Sequence, residues 1–273
     1  MSCREIPALV AELRSKAAGI VFDSESCLFV RLPAEWITIV ETLLRLPSSD
    51  DEIVIDKFRV SFKHRDLLRL KTQVWLNDEV INFYMKLSEE REKALSAVAG
   101  RPKNLFMNTF FYSKLVDHGR GFNYSNVKKW FKGVDIFSCE RIFVPINMDQ
   151  HWSLVCIYLS TREIHYIDSM LCNKNGRNIT ANIAKWLQNE SLSRNVENDG
   201  PVFTEKTSPC PQQTNFNDCG IFLLSFIDLL SNDLSLNMMD QSHCDDIRNA
   251  LAFWIIVGRL VSSLFFSTLS INK

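Results

Sequence analysis

The apolar positions change their period twice along the chain. WLNDEVINFYMKLSEE, from Trp75 onward, sets Val80, Phe83, Tyr84 and Leu87 at helical spacing. Asn77, Asp78 and Glu79 stand where a helix N-terminus favours capping and acidic groups, so a helix is predicted there. Just before it, VIDKFRVSF (54–62) is strand-like. The middle of the chain turns to short runs rich in β-branched and aromatic residues. LFMNTFFY (105–112), RIFVPINM (141–148), HWSLVCIYLS (151–160) and EIHYIDSM (163–170) are each predicted as strands. Between the first two, VKKWF suits a surface helix. After Cys219, GIFLLSFIDLL is an unbroken apolar run long enough for a buried helix. Helices, then a sheet, then helices predict an α+β domain.

The two ends of the chain read differently. Residues 1–48 hold two apolar patches, AGIVF and WITIVETLL, and close on LPSSDDE, a turn-rich boundary. Residues 1–50 are therefore expected to form a partly ordered N-terminal extension, 51–262 the main domain and 263–273 an apolar tail. Residues 250–269 carry Arg259 as their sole charge, a length that could span a bilayer. A central Arg is costly in lipid, and DDIRNALAFWII looks like a capped amphipathic helix. A terminal core helix followed by a tail is the expectation, with membrane contact the lesser alternative.

Composition excludes more than it selects. The chain has 273 residues, 46% hydrophobic and 23% charged, with 19 phenylalanines and six tryptophans, enough for a sizeable core. A net charge of −1 gives no overall basic field, so direct nucleic-acid binding is not expected. None of the eight cysteines forms a C-x-x-C pair, and no Cys/His cluster has zinc-like spacing. No metal is therefore expected. No signal-like N-terminus is present, and free thiols in a reducing compartment are the simplest reading.

One cysteine stands apart. Cys219 follows the turn and cap types Asn215, Asn217 and Asp218, precedes Gly220, and opens the buried helix, whose positive dipole end favours a thiolate. Taken alone, a Cys before an apolar helix is more often a structural thiol. A nucleophile also needs a base, and five histidines are available: His64, His118, His151, His165 and His243. His151 begins an apolar strand, and Asp168 ends the next one. If the two strands pair as a hairpin, His151 and Asp168 become neighbours at one sheet edge. Gln213, six residues before Cys219, could donate its side-chain amide to an oxyanion, although a lone loop Gln is usually polar surface.

His151-Trp152, then Asp168, then Gln213-x5-Cys219-Gly220 resembles the signature of ubiquitin-like-protein cysteine proteases, and more narrowly the SUMO-specific (sentrin) proteases. WLNDEVINFYMK, NTFFYSKL, VKKWFKGVDIFS, IFVPINMDQHWSL, IHYIDSM and CPQQTNFNDCGIF follow that family's order across roughly residues 53–260. The resemblance implies a papain-like fold of the ubiquitin-like protease type, a central mixed sheet flanked by helices. It implies Cys219 as nucleophile, His151 as general base, Asp168 as its orienter and Gln213 as oxyanion donor. It further implies that Trp75 and Trp152 enclose a Gly-Gly tail, that Asp78 pairs with an arginine of the modifier, and that no cofactor is needed. SUMO and SUMO-conjugated proteins are the implied partners of a monomer resident in nucleus, cytoplasm or both. The alternatives are a protease for ubiquitin or another ubiquitin-like modifier, and an inactive SUMO-binding module. RGFNYSN (120–126) is longer than the simplest family pattern, and residues 1–50 match nothing in it.

Overall fold

The computed structural model describes residues 5–19, 26–47, 52–99, 103–117, 120–170, 176–196 and 201–260. Two helices come first, α1 (Glu5–Lys16) and α2 (Ala34–Arg45). The hairpin β1 (Ile53–Lys57) and β2 (Val60–Lys63) follows, then the short α3 (His64–Leu67) and the long α4 (Asp78–Ala99). Next come β3 (Asn104–Phe106), α5 (Phe110–Leu115) and the two-residue strands β4 (Val116–Asp117) and β5 (Gly121–Phe122). The central strands are β6 (Arg141–Met148), β7 (His151–Tyr158) and β8 (Glu163–Ile167), followed by α6 (Gly176–Ser193) and β9 (Thr204–Thr207). The buried α7 (Cys219–Ser231) and α8 (Cys244–Val257) complete the described chain.

The main sheet has the order β3-β6-β7-β8-β9. Its outer pairs, β3/β6 and β8/β9, are parallel and its inner pairs antiparallel, so the sheet is mixed. Every residue of β7 between its two ends is buried, so both faces of the sheet are covered. Leu154 and Cys156 point into a core shared with α4, α7 and α8; Val155 and Ile157 point into a second core shared with α5 and α6. Pro145 sits mid-strand in β6, where a missing N–H would ordinarily break a ladder. It lies past the end of β3, which pairs only with residues 141–143, so the β3 ladder loses nothing.

Three segments depart from the periodic reading. VIDKFRVSF is two strands, not one: Phe58 and Arg59 both take positive φ (58° and 61°) and fold the run into a hairpin. LFMNTFFY is a strand only to Phe106. Asn108 Oδ1 accepts from Phe110 N at 3.0 Å and Asn82 Oδ1 from Thr109 N at 2.9 Å, turning the chain into α5. VKKWF forms successive turns rather than a helix, with Val127 fully buried as their anchor. The other predicted elements are present, and Asn77 Oδ1 accepts from Val80 N at 3.2 Å at the start of α4.

Helices α1 and α2 contribute to the main core. Ile6, Val10 and Leu13 of α1 and Trp36, Ile39, Val40 and Leu43 of α2 are buried in the cluster that holds α7 and α8. Trp36 stacks on Phe253 at 5.1 Å, and Arg14 Nε donates to Ile256 O at 2.7 Å. The apolar run at the other end is interrupted by Gly258, whose φ of 75° caps α8 in the left-handed conformation. A Cβ there would come within 2.5 Å of Ile55 Cδ1, a second reason for glycine. Among the described residues no helix is long and apolar enough to cross a membrane. Residues 261–273, and with them the predicted tail, lie outside the described residues.

Candidate active site

The residues that carry polar chemistry collect where α7 begins, at one end of the β7–β8 ladder. β6 returns into β7 through Asp149 and Gln150, whose positive φ values (54° and 63°) make a tight two-residue turn. His151 is therefore the first residue of β7, held rigidly at the sheet end. β8 runs antiparallel beside it and ends at Ile167, delivering Asp168 to the same edge. His151 Nε2 lies 2.6 Å from Asp168 Oδ1. The Asp168 carboxylate is fixed from behind, with Oδ2 accepting from Tyr166 Oη and Oδ1 from Met170 N, both at 2.9 Å.

The Cys219 side chain lies within reach of the same imidazole and helps to raise its pKa. With Nε2 engaged by Asp168, Nδ1 is the ring nitrogen left for the thiol. Burial alone would lower the imidazole pKa. The hydrogen bond to Asp168 and the charge on its carboxylate, with a further contribution from Cys219, outweigh it and lift His151 to about 10. The imidazole thus holds its proton at neutral pH between a carboxylate and a thiol at a helix N-terminus, an arrangement suited to an ion pair. Burial pushes the Cys210, Cys139 and Cys156 thiols up to about 11, 11 and 12, so these three stay protonated.

Gln213 is tied to the strand end carrying Asp168. Its N–H donates to Ser169 O at 3.0 Å, and its Oε1 accepts from Ser169 Oγ at 2.6 Å. One proton of its side-chain amide goes to Asn215 O at 2.6 Å, leaving the second for another acceptor. Trp152 is buried and Trp75 is 42% exposed. They are linked through Leu76, whose carbonyl accepts from Trp152 Nε1 at 3.1 Å. Leu76 also presses on the start of α7: a Cβ on Gly220 would lie 2.9 Å from Leu76 Cβ, so glycine is required beside the thiol. Asp78 opens α4 two residues further along, half-buried.

The remaining histidines are placed elsewhere. His64 is fully buried with Nε2 2.9 Å from Leu43 O, and His165 lies between Glu163 and Ser208. His243 stands at the start of α8, and His118 is outside the described residues. Among the described residues no His/Cys/Asp/Glu group could hold a metal ion. Sequence reading missed Ser169, Leu76 and Arg248, because their roles arise from contacts 44, 76 and 30 residues away in the chain. Asn215 alone carried a local signal as an Asx-turn residue, and its Oδ1 accepts from Asn217 N and Asp218 N.

A thiol at a helix start, a histidine on it and a carboxylate behind the histidine define the class of a thiol-hydrolase site. Residues 74–259 match the C-terminal catalytic domain of the Ulp1 protease family. Sentrin-specific protease 2 of Homo sapiens is 41% identical over 187 residues, covering 67% of this chain and 30% of that protein. Ubiquitin-like-specific protease 1A of Arabidopsis thaliana is 33% identical over 220 residues, covering 76% and 42% respectively. The solved C-terminal Ulp1 protease domain in complex with Smt3, the yeast ortholog of SUMO, superposes with a TM-score of 0.69 at 28% identity. That match covers 83% of this chain and 96% of the solved one. The chain belongs to the Ulp1 protease family, and it spans less than half the length of the human and Arabidopsis relatives.

Proposed function

We propose that the protein is a SUMO-directed thiol protease that cuts after the modifier's C-terminal Gly-Gly, releasing it from conjugates and from precursors. The observation that carries this reading is the His151 imidazole between Asp168 Oδ1, at 2.6 Å, and the Cys219 thiol at the start of α7. The relative solved with Smt3 supports SUMO as the modifier class.

In this mechanism the Cys219 thiolate attacks the carbonyl carbon of the terminal glycine, forming the S–C bond. Negative charge moves to the carbonyl oxygen, where the free amide proton of Gln213 and the first N–H groups of α7 are the available donors. As the tetrahedral intermediate collapses, the C–N bond breaks and His151 gives its proton to the departing amine. Water then attacks the thioester, His151 takes a proton from it, and the thiolate leaves. Asp168 holds the imidazole in one orientation throughout. Trp75 and Trp152 line the approach for a chain without side chains, and Asp78 meets an arginine of the modifier.

A panel of modifiers bearing C-terminal electrophiles tests the reading. SUMO probes are expected to label Cys219 and to fail with Cys219→Ser. Reaction with ubiquitin probes alone would overturn the substrate assignment. Binding of SUMO without labelling would identify an inactive binding module.

A further inference from the structure

Asp218 directly precedes Cys219 and occupies the N-cap position of α7, yet its side chain makes no cap hydrogen bond. The residue is 4% exposed. It turns toward α8 instead: Oδ1 accepts from Arg248 Nη2 at 2.6 Å, and Oδ2 from Asn215 Nδ2 and Gln241 Nε2, each at 2.7 Å. Burial alone would raise the Asp218 pKa; these hydrogen bonds and the Arg248 charge bring it below the usual carboxylate value.

Arg248 is itself 2% exposed, and its second amino group leads elsewhere. Nη1 donates to Lys71 O at 2.8 Å and Arg69 O at 3.4 Å, in the loop that runs on to Trp75 and Leu76. One guanidinium therefore joins the loop ending in the thiol to the loop ending in Trp75. The two loops meet again where Leu76 packs on Gly220.

A buried carboxylate one residue from a thiol opposes the thiolate unless it is neutralised. The charged and titratable groups linked to Cys219 or to Asp218 divide by element. His151 comes from β7, with Asp168 behind it at the end of β8; Asp218 is its chain neighbour; Arg248 comes from α8. Cys244, also on α8, is driven up by burial and by Asp218 and remains a neutral thiol, with Asp245 adding to the same effect. Arg69 and Lys71 contribute backbone carbonyls only. Arg248 is thus the one cation set against Asp218 among these groups.

We propose that Arg248 is a positioning residue for the nucleophile: by pairing with Asp218 it cancels a negative charge beside Cys219 and fixes the nucleophile loop against the loop carrying Trp75. The inference deepens the protease reading and rests on Cys219 being the nucleophile. It explains why a buried ion pair is kept where apolar side chains could pack, since a buried pair is weak evidence for stability and its retention calls for another role.

The test follows the pH dependence of iodoacetamide alkylation at Cys219, read by peptide mass spectrometry, in the full-length chain. Arg248→Met should move the midpoint up by about one pH unit, a roughly tenfold loss of thiolate on the acid side. Asp218→Asn, which leaves Arg248 unopposed, should move it down, and the double variant should return toward wild type. Arg248→Lys keeps the charge and should retain most of the wild-type midpoint. Midpoints that stay put in folded variants, or that all move the same way, overturn the proposal. If Arg248→Met does not fold, Asp218→Asn decides alone, and an unmoved or raised midpoint counts against the proposal. Failure of the protease reading is seen separately, as wild-type Cys219 that titrates normally but is not labelled by SUMO electrophiles.

Discussion

The two ends of α7 carry the same chemistry for different purposes. Each has a buried aspartate facing a buried arginine: Asp218 with Arg248 at the start, Asp228 with Arg91 near the end, 3.3 Å apart. Asp228 is fully enclosed and gathers four partners from distant segments. Tyr84 Oη donates to it at 3.0 Å and Leu28 N at 3.1 Å, with Ser26 Oγ and Arg91 completing the set. This cluster joins α4, α7 and the segment that follows α1, and no hydrogen bond among the described residues links it to Cys219. The Asp218 cluster ties α8, through Arg248, to two loops, and those loops end in Cys219 and Trp75. One end of the helix anchors the fold; the other aims the thiol.

Breaking the anchoring end should have the largest effect on stability. Asp228→Ala leaves Arg91 charged and unpaired in the core, and a loss of about 3–5 kcal/mol is expected by thermal or denaturant unfolding. In material that stays folded, the Cys219 alkylation midpoint should not move. If it does, the two ends are not separate in function. Trp36→Ala, which removes the stack on Phe253, should cost about 3–5 kcal/mol by the same measurement, again without altering the midpoint.

Lesions at the other end should cost less stability and more chemistry. Gly220→Ala pushes a methyl against Leu76, so about 1–3 kcal/mol of stability is expected to go, together with a disproportionate fall in kcat/KM. An unchanged kcat/KM would mean that Leu76 does not transmit to the site. His151→Gln should change the pH dependence of stability. The imidazole is raised from 6.5 to about 10 in the folded chain, so its contribution is present in full below about pH 6.5 and disappears as pH rises through about 10. The advantage of wild type over the variant should shrink across that interval in unfolding experiments. Ser169→Ala is the mildest, about 1 kcal/mol, with a small drop in kcat as Gln213 loses one support.

The difference between these ends also marks what could be read along the chain. β6, β7 and β8 were legible as short runs of β-branched and aromatic residues bounded by turns, and α4 and α7 because their signals are local. The approach of His151 to Asp168 followed from antiparallel pairing alone, with no side-chain information. VIDKFRVSF hid a hairpin, since Phe58 and Arg59 are not the residues that announce a positive φ. VKKWF looked helical because its anchor, Val127, cannot be told from a surface valine before its neighbours are known. The docking of α1 and α2 and both Asp–Arg pairs were out of reach. Opposite charges 30 or 137 residues apart leave no periodic trace, and burial alone makes them partners.

The most direct test is cleavage of a SUMO precursor by the full chain, with the released modifier weighed by intact mass spectrometry. The expected product ends in Gly-Gly, and Cys219→Ala should abolish its release while SUMO is still bound. Cleavage that survives Cys219→Ala, or a precursor left uncut under conditions where a ubiquitin fusion is processed, would contradict the assignment.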